Sequence, residues 1–216
     1  MSGGYDSVAC CIKLLDEGHT VMGLFFNLSQ PYLEQERQAV QYASEFLTTR
    51  YNNWLGFTTA LAPMKLQTSS DDTPSEYIPV RNFVFSALSA NFAIAEGYVA
   101  VAVGNKTTTV RPNDPYSFRD CSIEFYSMMQ NAVAFCSEGD TEIQFLMPLI
   151  NNNVALTKAE VVGIILNSGM DIRKLWSCYK NMDTPCGECH DCLEARKAFD
   201  NTGYDYSDFF INNLAA

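Results

Sequence analysis

The sequence predicts an α/β fold: a mainly parallel sheet flanked by helices, with a cysteine-rich C-terminal appendage. Three observations carry this. Stretches with apolar residues at helical spacing alternate with short continuous apolar runs of strand length. Glycines and loop-forming residues punctuate the alternation. Four of the eight cysteines fall together near the C-terminus, outside the alternating part.

Taken in order, Asp6 to Leu15 reads as a helix with Gly18 as its stop, and Val21 to Phe26 as a buried strand. Leu33 to Leu47 is helical, with Glu and Gln on its exposed face, and Trp54 to Ala60 is the next strand. A Pro-, Ser- and Asp-rich loop follows to about Tyr77. Arg81 to Glu96 reads as a buried helix ended by Gly97, and Tyr98 to Val103 as a strand bounded by Gly104. Thr107 to Arg119 is a long loop of the kind that carries function. Ser122 to Phe135 is helical, Phe145 to Leu149 a short strand, and Thr157 caps a helix running to about Asn167. In such a sheet the ligand sits beyond the carboxyl ends of the strands.

Composition bounds the function. With 47% hydrophobic and 18% charged residues in a chain of 216, a sizeable core is expected and global disorder is not. No apolar run reaches the roughly 20 residues that span a bilayer, and Met1 leads straight into Ser-Gly-Gly, so no signal peptide is expected. The expected setting is cytoplasmic. A net charge of -11, with 14 basic residues scattered among 25 acidic ones, disfavours direct nucleic-acid binding, which needs clustered Lys and Arg.

Ser2-Gly3-Gly4-Tyr5-Asp6-Ser7 stands directly before the first helix. Two glycines let the backbone turn tightly and bring N–H groups to an anion. Ser2 and Ser7 add hydroxyls, and the helix N-terminus points its positive end at the same place. Asp6 is a poor direct phosphate ligand; magnesium binding or a loop-holding role suits it better. The plainer reading is a capped glycine turn.

Cys178, Cys186, Cys189 and Cys192 have spacings short enough to converge on one ion, and four thiolates suit a closed tetrahedral zinc site. Gly187 permits the tight turn such a knuckle needs, and His190 is expected to be exposed. The alternative is a group of unmetallated or redox thiols. Cys10, Cys11, Cys121 and Cys136 are dispersed, which argues against a disulfide framework.

Ser-Gly-Gly-x-Asp-Ser resembles the signature of the PP-loop ATP pyrophosphatases. Several further motifs resemble the 7-cyano-7-deazaguanine synthase family within that group. They are Ile78-Pro79-Val80-Arg81-Asn82, Asp120-Cys121 with Phe125, and Pro148-Leu149-Ile150 followed by Leu156-Thr157-Lys158-Ala159-Glu160. The C-terminal signature is Trp176-Ser177-Cys178-Tyr179, Pro185 to Cys192, and Arg196-Lys197-Ala198-Phe199. The resemblance implies a Rossmann-like, adenine nucleotide alpha hydrolase-like fold, with an ATP-binding domain over 1–172 and a zinc-binding segment over 173–216 packed on it. It implies ATP-dependent conversion of 7-carboxy-7-deazaguanine and ammonia to the nitrile, with Zn2+, ATP and Mg2+ as cofactors and a homodimer as the assembly.

On this resemblance Ser2, Gly3, Gly4, Asp6 and Ser7 hold the pyrophosphate, and Lys158 is a phosphate cation. Arg81 contacts a phosphate or the substrate carboxylate, and Asn82 a base or ribose edge. Asp120 reads the heterocycle's N–H edge or binds magnesium, with a helix N-cap as the plainer role. Gln30 is the clear survivor of the family's Asp-Tyr-Gly-Gln-Arg-His segment, replaced here by Phe26-Asn27-Leu28-Ser29-Gln30-Pro31-Tyr32. Thr107-Thr108-Thr109 stands in place of an acidic and aromatic loop, and Ser122 in place of the Arg after Asp-Cys. The family has an apolar strand ahead of Ser-Gly-Gly where this sequence has Met1, so either another segment fills that place or the start lies upstream. Two other functions stay open: a related ligase adenylating a different acid, and a non-catalytic zinc-containing assembly module. Tyr204 to Ile211 is either an interface or a tail folded back on the core.

Overall fold

A computed structural model describes residues 1–62, 78–108, 118–137 and 142–211. The parts of the two expected loops at 63–77 and 109–117, Thr109 included, lie outside the described residues. The chain forms two compact units, Met1–Pro63 with Leu156–Ala216, and Met64–Ala155. The C-terminal cysteine segment therefore shares a unit with the N-terminal loop.

The first unit begins with α1 (Tyr5–Asp16), β1 (Val21–Asn27), α2 (Leu33–Arg50) and β2 (Trp54–Leu61). β1 and β2 pair in parallel, as a strand–helix–strand crossover requires. Their register slips between Val21 and Gly23, where a side chain at Gly23 would come within 2.9 Å of the Trp54 ring. The backbone nitrogen of Met1 donates to the Leu24 carbonyl at 2.5 Å, which lays the residue ahead of Ser2 beside β1.

After the excursion through the second unit the chain returns as α5 (Lys158–Ser168), a 3-10 turn over Ile172–Lys174, and α6 (His190–Thr202). Thr157 and Glu160 close a reciprocal capping box at the start of α5, as expected from Thr157. α5 packs between α1 and α6. The helix over 190–202 is absent from the sequence reading because its apolar positions are few and interleaved with charge. Phe199 in α6 is fully buried, with ring centroids of Tyr5, Tyr204, Tyr206, Phe209 and Phe210 at 6.2, 5.1, 5.6, 5.5 and 6.2 Å. Of the two roles open to 204–211, the tail folded back onto the core is the one observed for Phe209 and Phe210, both buried.

The second unit holds α3 (Arg81–Glu96), β3 (Ala100–Ala102), α4 (Ile123–Cys136), β4 (Gln144–Leu146) and a hairpin of β5 (Ile150–Asn151) and β6 (Val154–Ala155). β3 and β4 are parallel. The expected strand at Phe145 to Leu149 is shorter and earlier, because Pro148 lacks the N–H a ladder needs and the chain turns there. One core cluster among its described residues joins Ala90, Ala93, Val101 and Ile143, with Tyr98, Val103, Val133 and Phe145 around it. α3 is only partly buried, which overturns the expectation of a buried helix. Phe83, Leu88 and Ile94 are exposed, since α3 is apolar all round and the described residues of the unit cover one face of it. Among the described residues no helix is long and apolar enough to cross a membrane.

Phe199→Ala is expected to destabilise the first unit by about 3–5 kcal/mol, the usual cost of emptying a fully buried aromatic site. Thermal unfolding followed by circular dichroism should show a midpoint lowered by on the order of 10 °C. A loss within about 2 °C would mean that the aromatic cluster is not a main support.

Candidate functional site

Ser2 to Ser7 forms a closed loop at the N-terminus of α1. The Ser7 hydroxyl donates to the Gly4 carbonyl at 2.9 Å and accepts from the Ser2 backbone N–H at 3.0 Å; the two serine hydroxyls lie 3.2 Å apart. Gly3 has a φ of 79°, the left-handed region, and a Cβ built there would lie 2.8 Å from Ala39 Cβ and 3.0 Å from the Glu36 carbonyl oxygen. Only glycine accepts both constraints. Gly4 is the N-cap of α1 and has no side chain to close the helix end, so the first N–H groups of the helix turn toward the loop.

The loop is pinned from the far end of the chain. Trp176 N–H donates to the Gly3 carbonyl at 3.1 Å, and Tyr5 N–H to Ser177 Oγ at 3.5 Å. Both partners precede the first knot cysteine. Lys158, the first residue of α5, donates to Asp6 at 2.6 Å and lies 5.6 Å from the Tyr5 ring centroid. Its side chain is 12% exposed, so it is not the solvated helix residue of the plainer reading. Burial pulls the Lys158 ammonium down, but Asp6, with Asp191 and Glu194, outweighs it and the net shift is upward. Lys158 is thus a buried, charged cation paired with Asp6 beside the Ser2–Ser7 loop.

Gln30 is buried in the turn after β1. Its amide oxygen accepts from Leu28 N–H at 2.9 Å, and its amide nitrogen donates to Glu36 on the α2 turn that Gly3 abuts. Its hydrogen bonds thus order the turn beside the loop.

Arg81, Asn82 and Asp120 belong to the second unit, and the structure brings them to one place there. Arg81 and Asn82 open α3 directly after Val80, a β-branched residue at a left-handed φ of 54°. Such strain persists only where surrounding structure imposes it, and it clusters at functional turns. Asn82 Nδ2 lies 3.3 Å from Cys121 Sγ, and the Asp120 carboxylate is 4.0 Å from the same sulfur. The Arg81 charge acts on both Cys121 and Tyr126. Asp120 lies in a 3-10 turn over Arg119–Cys121, and Ser122 caps α4 by accepting from Phe125 N–H at 3.2 Å. The N-cap role considered for Asp120 therefore falls to Ser122, which also accounts for the Ser at that position.

Cys178, Cys186, Cys189 and Cys192 are all buried, with their sulfurs within 4.8 Å of one another. A tetrahedral zinc with Zn–S bonds of about 2.3 Å needs sulfurs about 3.8 Å apart, so the four fit one ion with minor closure. The Cys186 and Cys192 sulfurs lie 3.9 Å apart. Backbone N–H groups of Cys186 and Lys180 point at Cys178 Sγ at 3.4 Å, and that of Cys189 at Cys186 Sγ at 3.3 Å. Such donors stabilise thiolates. Without metal, hydrogen bonds from Cys178 and Cys192 draw the Cys189 thiol down, and the contacts with Cys178 and Cys189 push Cys192 up. Gly187 has a φ of 76° and no room for a Cβ, which would meet Arg196 at 2.5 Å. The His190 side chain is 34% exposed and faces Asp191 at 3.5 Å, half-buried rather than open. All eight cysteines are free thiols, so no disulfide competes with the metal.

Sequence reasoning passed over Trp176, Ser177 and Tyr5 as loop supports, and Asn105 and Tyr126 beside Cys121. Trp176 and Ser177 lie next to a recognised ligand. Asn105 follows a strand at the end where α/β ligands collect, and that position was the available signal.

A family model described as queuosine biosynthesis protein QueC matches residues 1–203. A protein of Campylobacter curvus (strain 525.92) named 7-cyano-7-deazaguanine synthase is 30% identical over 214 residues, covering 94% of this chain and 92% of that protein. Proteins of the same name from Nautilia profundicola and a Nitratiruptor species are each 28% identical. The first covers 95% of this chain and 93% of its own length, the second 94% and 93%.

Two outcomes follow from the geometry. Gly3→Ala should cost at least about 2 kcal/mol, from the positive φ and the contact with α2 together; an unchanged denaturation midpoint would contradict the seating of the loop. Purified protein should hold one zinc per chain by elemental analysis. A chelator, or a pH low enough for protons to compete for the thiolates, should strip it and lower the thermal midpoint.

Proposed function

Because the chain belongs to the QueC family of queuosine biosynthesis proteins, we propose that it is an ATP-dependent carbon–nitrogen ligase making 7-cyano-7-deazaguanine from 7-carboxy-7-deazaguanine and ammonia. The observation that carries this reading is the Ser2–Ser7 loop, sealed against α2 by Gly3 and flanked by the buried Lys158.

In the proposed reaction the substrate carboxylate attacks the α-phosphorus of ATP and pyrophosphate leaves. Ammonia then attacks the acyl adenylate and AMP leaves, giving the amide. A second ATP adenylates the amide oxygen, and loss of AMP and a proton yields the nitrile. Both adenylations need pyrophosphate held still while charge moves onto it. Backbone N–H groups at Gly3 and Gly4, the hydroxyls of Ser2 and Ser7, and the Lys158 ammonium supply fixed donors for that charge. Asp6 would hold magnesium, which when bound neutralises phosphate charge. The Asp6–Lys158 pair keeps both groups in place before the nucleotide arrives.

Arg81 is assigned to a carboxylate or phosphate, and Asn82 and Asp120 to the hydrogen-bonding edge of the heterocycle. The altered segment 26–32 favours one competing reading, a related ligase with a different acid. Zinc at the four cysteines is structural, since a complete thiolate shell leaves no open position for substrate.

Zinc-loaded protein incubated with 7-carboxy-7-deazaguanine, ATP, magnesium and ammonium should yield AMP, the amide and then the nitrile by mass spectrometry. AMP formed only with another acid would favour the competing ligase. No acid-dependent AMP at all would favour the non-catalytic module. Lys158→Met should lower AMP formation about 100-fold or more, the scale of removing a preorganised charge-stabilising donor; activity within about threefold of the parent would remove Lys158 from the machinery.

A further inference from the structure

Cys121 has no part in the reaction just proposed, yet its thiol is held by the first turn of α3 and lies beside the β3 exit. Asn82, in the first turn of α3, donates through Nδ2 at 3.3 Å. Asn105, just past β3, draws the same thiol's pKa down. Tyr126 O–H donates to Asn105 Oδ1 at 2.9 Å. On the remaining side Asp120 Oδ1 lies at 4.0 Å, the long end for an S–H donor. A parallel bridge between Thr107 and Ser122 fixes the β3 exit beside the turn that carries Asp120 and Cys121.

The obvious use of a cysteine at such a place is as a nucleophile, and its surroundings oppose that. Burial, and then the Asp120 carboxylate, push the Cys121 thiol up to about 11. Near neutral pH it is therefore a neutral thiol and a poor nucleophile. A neutral thiol can do what the geometry asks: accept from the Asn82 amide and present S–H to the Asp120 carboxylate. Alanine supplies neither function. Serine supplies both with a shorter bond.

We propose that Cys121 is a positioning residue for substrate recognition: it orients the Asn82 amide and the Asp120 carboxylate that read the heterocycle's edge, with Asn105 and Tyr126 completing the frame. The inference rests on the family function proposed above for the same residues. It predicts selectivity between the heterocyclic acid and ATP, because the hub holds residues assigned to the heterocycle while the pyrophosphate is assigned to the Ser2–Ser7 loop.

The test uses full-length, zinc-loaded protein and the variants Cys121→Ala and Cys121→Ser. In the ligand-free state, the side-chain NH2 signals of Asn82 and Asn105 should shift in Cys121→Ala and return toward their original positions in Cys121→Ser. In steady-state assays Cys121→Ala should raise KM for 7-carboxy-7-deazaguanine about tenfold or more, leave KM for ATP within about twofold, and be largely rescued by serine. Unmoved amide signals would overturn the proposal. So would an equal rise in both KM values, or a serine variant no better than alanine with unfolding midpoints matched. An inactive parent protein would instead overturn the functional reading and with it the recognition role, and the amide signals would then decide by themselves whether Cys121 orders the two side chains.

Discussion

The first unit depends on one close approach, the backbone of Gly3 against the first turns of α2. A Cβ there would sit 2.8 Å from Ala39, so the loop can occupy this place only as glycine in a left-handed turn. That seating aims the start of α1 and brings the Gly3 carbonyl within reach of Trp176 N–H, near the other end of the chain. Tyr5 then enters the aromatic cluster around Phe199, and Asp6 meets Lys158. A loop held this way is ordered before any ligand arrives, which is what the proposed pyrophosphate role asks of it.

The C-terminal segment does two jobs through the same backbone. Its cysteines converge on a site that fits zinc, and the two residues before the first cysteine hold the Ser2–Ser7 loop. The two roles share one stretch of backbone, since the chain that enters the cysteine cluster is the chain that holds the Gly3 carbonyl and the Tyr5 N–H.

The second unit is built differently. Among its described residues an apolar cluster joins α3 to a short parallel pair, while a polar hub of Asn82, Asn105, Cys121, Asp120 and Tyr126 gathers at the strand exits and helix starts. Buried polar networks are costly unless satisfied, and once satisfied they impose one arrangement. The strained Val80 immediately before Arg81 and Asn82 fits the same pattern, with local energy held in a turn by surrounding contacts.

The sequence by itself determined the local grammar. Alternating apolar periods marked α1, β1, α2, β2 and α3 within a few residues, because burial selects one face of a helix or both faces of a strand. The serine–glycine loop and the spacing of Cys178, Cys186, Cys189 and Cys192 were legible because their chemistry is carried by neighbours in the chain. Tertiary structure alone decided what joins distant segments: Lys158 to Asp6, Trp176 to Gly3, Tyr5 to Phe199, and Asn82 to Cys121. It also decided which face of the uniformly apolar α3 is covered, and that Phe209 and Phe210 turn inward. Periodicity records that a side chain is buried or that a turn is tight; it carries no address for the partner, which is set by how the elements pack.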